Sequence, residues 1–227
     1  MNEEIETSKD VLKDYSLLKK IDRFFYFFIK RLFDIVFSLL GIMFLLPISL
    51  IVKISYVLSG DYKTIFYKQK RIGKNGKIIY IFKYRTMIPD ADKVLKELLK
   101  KTKYKKEWKS HHKLSNDPRI TKMGKILRKS SLDEFPQFIN VLKGDLSIIG
   151  PRPLVEGELD EHNGNHEIYE SVRPGITGWW AANGRSAIDY EKRLELEYYY
   201  CKNCSLWLDI KCFFKTIEVV LFKRGAK

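Results

Sequence analysis

Residues 32–52 read LFDIVFSLLGIMFLLPISLIV, with Asp34 as the only charge, and this stretch decides the architecture. As a helix it would measure about 31 Å, enough to cross the hydrocarbon core of a bilayer. Three features argue against a simple crossing. Pro47 lies inside the stretch, where it removes a hydrogen bond and kinks a helix. Ser49 follows, and its hydroxyl is placed to satisfy a freed carbonyl. Lys30 and Arg31 precede the stretch, while Lys53, Lys63, Lys68, Lys70 and Arg71 follow it. A spanning helix ordinarily shows its Lys/Arg excess at one end. Basic flanks on both sides suit a helix that enters the membrane, bends at Pro47 and leaves on the same face. A spanning helix and a buried core helix are the two other readings of the pattern.

Working outward, the run Phe24, Phe25, Tyr26, Phe27, Phe28 suits either an aromatic belt at the membrane interface or ordinary core. Residues 1–20 mix Glu3, Glu4, Glu6, Asp10 and Asp14 with lysines, which reads as a polar, partly helical lead and not a signal peptide. The division is therefore a lead over 1–20, a membrane helix over 21–58 and a cytoplasmic domain over 59–227. The chain has 227 residues, and 42 Lys+Arg against 28 Asp+Glu leave a net charge of +14. That excess calls for an anionic partner: nucleic acid, anionic lipid or a phosphorylated substrate. Hydrophobic content of 45% excludes a disordered chain. Three clustered cysteines, Cys201, Cys204 and Cys212, do not make a secreted disulfide framework and point to a reducing compartment.

The domain reads as α/β, mostly helical with a small β-hairpin. Residues 65–88 carry β-branched and aromatic residues around Asn75-Gly76, a two-residue turn signal. Residues 90–109 read as a helix with Asp90 as its cap. The nine lysines between Lys93 and Lys113 form either a solvated face or a patch for anionic headgroups. A helix over 136–143 stops at Gly144. Amphipathic helices over 188–201 and 205–223 close the chain, the last with Leu206, Trp207, Ile210, Phe213, Phe214, Ile217 and Val220 on one broad face, for the core or for a membrane surface.

Asp133 and Glu134 are adjacent carboxylates in RKSSLDEFPQFINVLKG. Ser131 to Glu134 has the form of a capping box, a structural explanation for both acids. The functional one uses the same geometry. A carboxylate at a helix start is kept ionised by the dipole, ready to act as nucleophile or metal ligand. Neighbouring helical side chains diverge by about 100°, so one acid can face a reacting atom and the other Mg²⁺. Arg152 is stiffened between Pro151 and Pro153, and Arg185 follows the turn Asn183-Gly184; with Arg128 and Lys129 they suit phosphate binding. Paired acids, arginines on rigid loops and an apolar helix together suggest a phosphate-handling site at a lipid surface.

At this point the sequence resembles a family. KQKRIGKNGK, IFKYRTM, NDPRITKMGKILRKSSLDEFPQFINVLKGDLSIIGPRP, RPGITGWWAANGR, RLELEYYYCKNCSLWLDIKCFFKTI and LFKRGA are similar, in order over about 30–225, to the bacterial sugar transferases. These are the monotopic phosphoglycosyl transferases that start glycan assembly on polyprenol phosphate. The resemblance implies transfer of a sugar 1-phosphate from a UDP-sugar to undecaprenyl phosphate, releasing UMP and initiating exopolysaccharide, capsule or O-antigen synthesis. It implies Asp133 as the nucleophile that forms a phosphosugar–enzyme intermediate, and Glu134 as its partner; Mg²⁺ would lie between these acids and the phosphates. Arg128, Arg152 and Arg185 match arginines around the phosphates, and Lys83 matches a site lysine; Arg85, beside it in KYRTM, is carried with the phosphate-binding set. Pro47 matches the break of a re-entrant membrane helix. Glu197 stands where the family usually has aspartate, keeping the charge with one more methylene. The segment 90–117 and the RGA tail look like the branch acting on UDP-galactose or UDP-glucose. The implied setting is the cytoplasmic face of a bacterial inner membrane, with membrane lipids as partners, self-association open and no nucleic acid.

Other patterns have simpler explanations. Cys201-x-x-Cys204 has no second pair; a zinc site joining it to His162 and His166, at i and i+4, is the alternative to cysteines that form part of an amphipathic helix. Asp90-Ala-Asp92 suits helix capping, and residues 73–76 form a turn too short for a phosphate loop. Two rival classes stand beside the enzyme. A nucleic-acid binder would use the +14 charge but leaves residues 32–52 unexplained. A non-enzymatic membrane scaffold for glycan assembly would keep the apolar helix but not need Asp133.

Overall fold

The computed structural model describes the backbone of residues 2–111, 114–184 and 188–221, and the side-chain surroundings of 21–108, 114–184 and 188–219. Helix α1 runs over Asn2–Leu58 with Pro47 inside it. Lead and apolar stretch are therefore one helix. Its segment Ile21–Leu58 is long and apolar enough to cross a membrane.

Between residues 21 and 58, one stripe of α1 is buried and another is exposed. Asp34, Ser38, Leu45, Val52 and Tyr56 are buried, whereas Met43 is 71% and Leu46 79% exposed. The single acid of the apolar stretch has a defined role: Asp34 Oδ1 accepts from Ser147 Oγ at 2.9 Å and from the Ile148 amide at 2.8 Å. Gly41 allows the closest approach, because a Cβ there would lie 2.5 Å from the Phe138 ring. Ser49 does not reach a carbonyl freed by Pro47, as the sequence suggested. Its hydroxyl meets the Tyr84 phenol at 2.7 Å, and that phenol donates to the Leu45 carbonyl at 3.2 Å. The aromatic run divides between both of its readings. Phe24, Phe25 and Phe28 are exposed, while Tyr26 is buried and donates to Asp209.

The hairpin forms as expected. Strands β1 (Phe66–Ile72) and β2 (Ile78–Tyr84) pair antiparallel from Phe66↔Tyr84 to Ile72↔Ile78. Its connection is longer than two residues: a 3-10 turn over Lys74–Gly76 closed by the Gly73 amide on the Lys77 carbonyl. Asn75 (φ 56°) and Gly76 (φ 71°) both take the left-handed conformation, which asparagine and glycine tolerate best.

The predicted helix over 90–109 is two, α2 (Ala91–Leu98) and α3 (Thr102–His111). Asp90 holds the cap position of α2 but makes no capping hydrogen bond; its carboxylate pairs with Lys93 and Lys63. Helix α4 (Lys122–Ser130) is capped by Thr121. Helix α5 (Gln137–Lys143) ends at Gly144, φ 86°, at the predicted place. Strand β3 (Ser147–Ile149) pairs parallel with β4 (Gly175–Thr177), with the short helix α6 (His166–Tyr169) between them and α7 (Trp179–Ala182) after them. Helices α8 (Tyr190–Asn203) and α9 (Leu206–Leu221) close the fold.

Helix α9 divides its apolar residues. Leu208 and Cys212 are buried against Ile149 and Tyr200, whereas Trp207, Ile210, Phe214 and Ile217 are exposed. The exposed four fall at i, i+3, i+7 and i+10, one helical stripe. Asp209 locks α9 to α1, accepting from Lys30 at 2.6 Å, Tyr26 at 3.1 Å and Tyr200 at 2.6 Å. Among the cysteines, Cys201 and Cys212 are buried, and all three are free thiols.

Candidate active site

The turn Leu132–Glu134 carries the paired acids. It is not the capping box that its sequence resembles. Ser131 adopts φ 57°, ends α4 and makes no side-chain cap bond. The left-handed residue turns the chain sharply, so Asp133 and Glu134 occupy a single 3-10 turn between α4 and α5. The flanking residues fix that turn. Leu132 and Phe135 pack against a core built from Leu45, Val52 and Tyr56 of α1, with Ile65, Tyr84 and Leu127. The acids thus rest on the same core as the inner face of the apolar helix.

The hairpin supplies cations. Residues opposite one another in an antiparallel pair project to the same face, so Tyr67, Gln69 and Arg71 of β1 share a face with Lys83 and Ile79 of β2. Lys83 Nζ lies 2.7 Å from Glu134 Oε1. From α4, Arg128 Nε donates to Thr86 Oγ1 at 3.0 Å. Asp133 is half-buried. Burial, then the neighbouring Glu134, push its carboxyl above the ordinary range, and the charges of Lys83 and Arg128 offset this only in part. Burial therefore opposes the ionised form that a helix start was expected to favour, and nearby cations supply the opposing field.

A second group surrounds the 150–153 loop. The Arg152 amide donates to Glu197 Oε1 at 3.0 Å, and the Tyr169 phenol donates to the Arg152 carbonyl at 3.0 Å. These bonds fix the loop, while the Arg152 guanidinium lies over Trp180, 5.7 Å from the ring centre. Glu197 is 1% exposed. Burial pushes its carboxyl up to about 7 against the pull of Arg193 and Arg152. It holds the loop through the backbone amide of Arg152.

Arg85 points elsewhere. It donates to Asp61 Oδ2 at 2.8 Å, to the Thr64 carbonyl at 2.8 Å and to the Met87 carbonyl at 3.2 Å, and lies over Tyr56. These partners fasten the segment after α1 to the hairpin. Arg185 lies outside the described residues. Arg71, which the sequence presented as one member of a basic run, is buried, with Arg152 and Glu134 among the charges that act on it. Strand alternation is the signal for it, once the register with Lys83 is known.

Asp133 and Glu134 offer hard oxygen donors. Mg²⁺ commonly takes one or two carboxylates and completes its shell with substrate phosphates and water, and two adjacent acids fit that mode. Among the described residues no group of three or more His, Cys, Asp or Glu forms a metal cage.

Paired acids thus stand beside cations on a core shared with an apolar helix. The chain belongs to the bacterial sugar transferase family, whose pattern matches residues 25–223. It is 42% identical over 200 residues to the undecaprenyl-phosphate galactose phosphotransferase of Salmonella typhimurium, covering 88% of this chain and 42% of that protein. It is 41% identical over 198 residues to the exopolysaccharide production protein ExoY of Sinorhizobium fredii, covering 87% of each. It is 35% identical over 208 residues to the UDP-N-acetylgalactosamine-undecaprenyl-phosphate N-acetylgalactosaminephosphotransferase of Aeromonas hydrophila, covering 89% of this chain and 46% of that protein. The chain thus spans less than half the length of the first and third of these relatives.

Proposed function

We propose that this chain transfers a sugar 1-phosphate from a UDP-sugar to undecaprenyl phosphate on the cytoplasmic face of a bacterial inner membrane, starting exopolysaccharide, capsule or O-antigen synthesis. The sugar is galactose or glucose. The observation that carries this reading is the Asp133–Glu134 turn, packed on the inner face of α1 and paired to Lys83.

In the first step an Asp133 carboxylate oxygen attacks the β-phosphorus of the donor. The bond from that phosphorus to the bridging oxygen breaks, and UMP leaves with the electron pair. In the second step a phosphate oxygen of undecaprenyl phosphate attacks the same phosphorus, and the Asp133 carboxylate departs. Two steps let one site serve a soluble donor and then a lipid acceptor. Lys83 and Arg128 favour the ionised Asp133 that the attack requires. Arg152, on its fixed loop, neutralises charge that gathers on the phosphates. Asp133 and Glu134 would hold Mg²⁺, which lowers the charge of the diphosphate when bound.

The apolar helix is proposed to be re-entrant. Both of its ends are tied to one domain: Arg31 donates to the Val141 and Leu142 carbonyls, and Tyr56 donates to the Arg85 carbonyl. The exposed stripes of α1 and α9 supply apolar surface for the bilayer.

The test is UMP release by purified, detergent-solubilised protein with Mg²⁺, undecaprenyl phosphate and a panel of UDP-sugars, with Asp133→Asn in parallel. Acceptor-dependent release from one donor, lost in the variant, is the expected result. Unchanged release by Asp133→Asn, with deamidation excluded by mass spectrometry, would refute the covalent assignment.

A further inference from the structure

Arg71 is 7% exposed, and its Nη1 is buried without a hydrogen-bond partner. A buried cation without a partner is costly, and proteins retain one where something else completes it. Its surroundings do not. Arg152 repels it, while Glu158, Tyr67 and Glu134 attract it. Both acids are engaged with other cations: Glu158 with Arg193 at 3.1 Å and Glu134 with Lys83 at 2.7 Å. Arg152 makes no ion pair among the described residues, so the two arginines share an excess of positive charge.

Backbone geometry brings them together. The Ile72 amide donates to the Leu154 carbonyl at 2.9 Å, joining the end of β1 to the chain just after the 150–153 loop. That loop is itself fixed by Glu197 and Tyr169. Two guanidinium groups on fixed backbones, one of them buried and unsatisfied, make a preorganised receptor for a polyanion. The hairpin face that carries Arg71 also carries Lys83, whose ammonium pairs with Glu134 of the Asp133 turn.

We propose that Arg71 and Arg152 form a two-arginine seat for a phosphate group of the substrate, with Arg71 a binding residue of the site. This rests on the phosphate-transfer reading above. The phosphate belongs either to the nucleoside diphosphate donor or to the polyprenyl acceptor, and the two are separable by experiment.

The full chain in detergent is titrated with UDP and, separately, with a short-chain polyprenyl phosphate, following the thermal midpoint. Arg71→Gln and Arg71→Lys are compared with the unaltered protein. The expected result is a tenfold or greater loss of affinity in Arg71→Gln for one of the two ligands, which identifies the source. Arg71→Lys keeps the charge but loses the fork, so its affinity falls between the two. The ligand-free midpoint of Arg71→Gln stays level or rises, because an unpartnered buried charge has been removed. A purely structural arginine would instead lower that midpoint and leave the affinity of the folded protein unchanged. That outcome, unchanged affinity for both ligands, or failure of both variants to fold would overturn the proposal. UMP release is measured on the same preparations. Arg71-dependent binding without turnover from any donor would retain the seat and remove the transfer reaction.

Discussion

Lys83 Nζ and Glu134 Oε1, 51 residues apart in the chain, meet at 2.7 Å. The pair joins β2 to the turn that carries Asp133, and its cation also acts on the Asp133 carboxylate. Lys83 therefore has two effects: it holds the turn through Glu134, and it opposes the burial that disfavours an ionised Asp133.

Replacing Lys83 by Met separates these effects by pH. Without the ammonium, the Asp133 carboxyl rises further, and the proposed attack requires its ionised form. The acid limb of kcat/KM therefore moves to higher pH. The loss is about tenfold below neutral pH, corresponding to about 1.4 kcal/mol, and smaller at pH 8. A pH–rate profile of UMP release checks this. A uniform loss at all pH values would leave Lys83 with its positioning role alone.

Glu197 gives a stability signature of opposite origin. Its carboxyl is raised from 4.5 to about 7 by burial, so between these values the folded state holds more protons than the unfolded state. Stability from this group is fully present below about 4.5 and is lost as pH rises through 7. Glu197→Gln keeps an acceptor for the Arg152 amide and removes that dependence. The variant's stability relative to the unaltered protein should rise from pH 5 to pH 7 and level off above, with a span on the order of 3 kcal/mol. Thermal unfolding across that range reads it, and a pH-independent difference would contradict it.

Much of this arrangement was legible in the sequence, and the exceptions have physical causes. The hairpin was carried by Asn75-Gly76 and its flanking β-branched residues, and the end of α5 by Gly144, because turn chemistry is local. The paired acids stood out by adjacency. Ser131–Glu134 has the form of a capping box, but Ser131 closes the preceding helix in a left-handed conformation, and nothing in its own four residues distinguishes the two uses. Asp34 and Arg71 belong to long-range geometry. Asp34 bonds to residues more than a hundred positions away, and Arg71 becomes distinctive only when strand register places it on the face of Lys83. The Glu197 contact, an acid on a backbone amide 45 residues earlier, is likewise invisible to spacing.

Gly41 tests whether α1 must lie close against α5. A Cβ there would meet Phe138 ring atoms at 2.5, 2.5 and 2.8 Å, and that ring is also held edge-on by Phe135 at 5.1 Å. Gly41→Ala gains about 1 kcal/mol of helix propensity against overpacking of about 1–3 kcal/mol. The thermal midpoint should fall, and UMP release with it, because Phe135 also supports the Asp133 turn. A raised midpoint would mean that α1 and α5 have room to part.

The proposed re-entrant topology rests on contacts at the two ends of the apolar segment. Near its start, Arg31 donates to the Val141 carbonyl at 2.6 Å and the Leu142 carbonyl at 2.8 Å, and Lys30 pairs with Asp209 at 2.6 Å. Near its end, Lys53 donates to the Tyr62 carbonyl at 3.1 Å, and Tyr56 is bonded to the hairpin strand's exit at Arg85. A helix whose ends emerged on opposite sides of a bilayer could not keep both sets of contacts with one domain outside the hydrocarbon. Single cysteines at Asp22 and Ser59, in a background with Cys201, Cys204 and Cys212 replaced by alanine, should both be labelled by a membrane-impermeant maleimide in inside-out vesicles. Neither should react in intact spheroplasts. Labelling of either position from outside would refute the re-entrant arrangement, and with it the proposal that one domain holds both ends of α1.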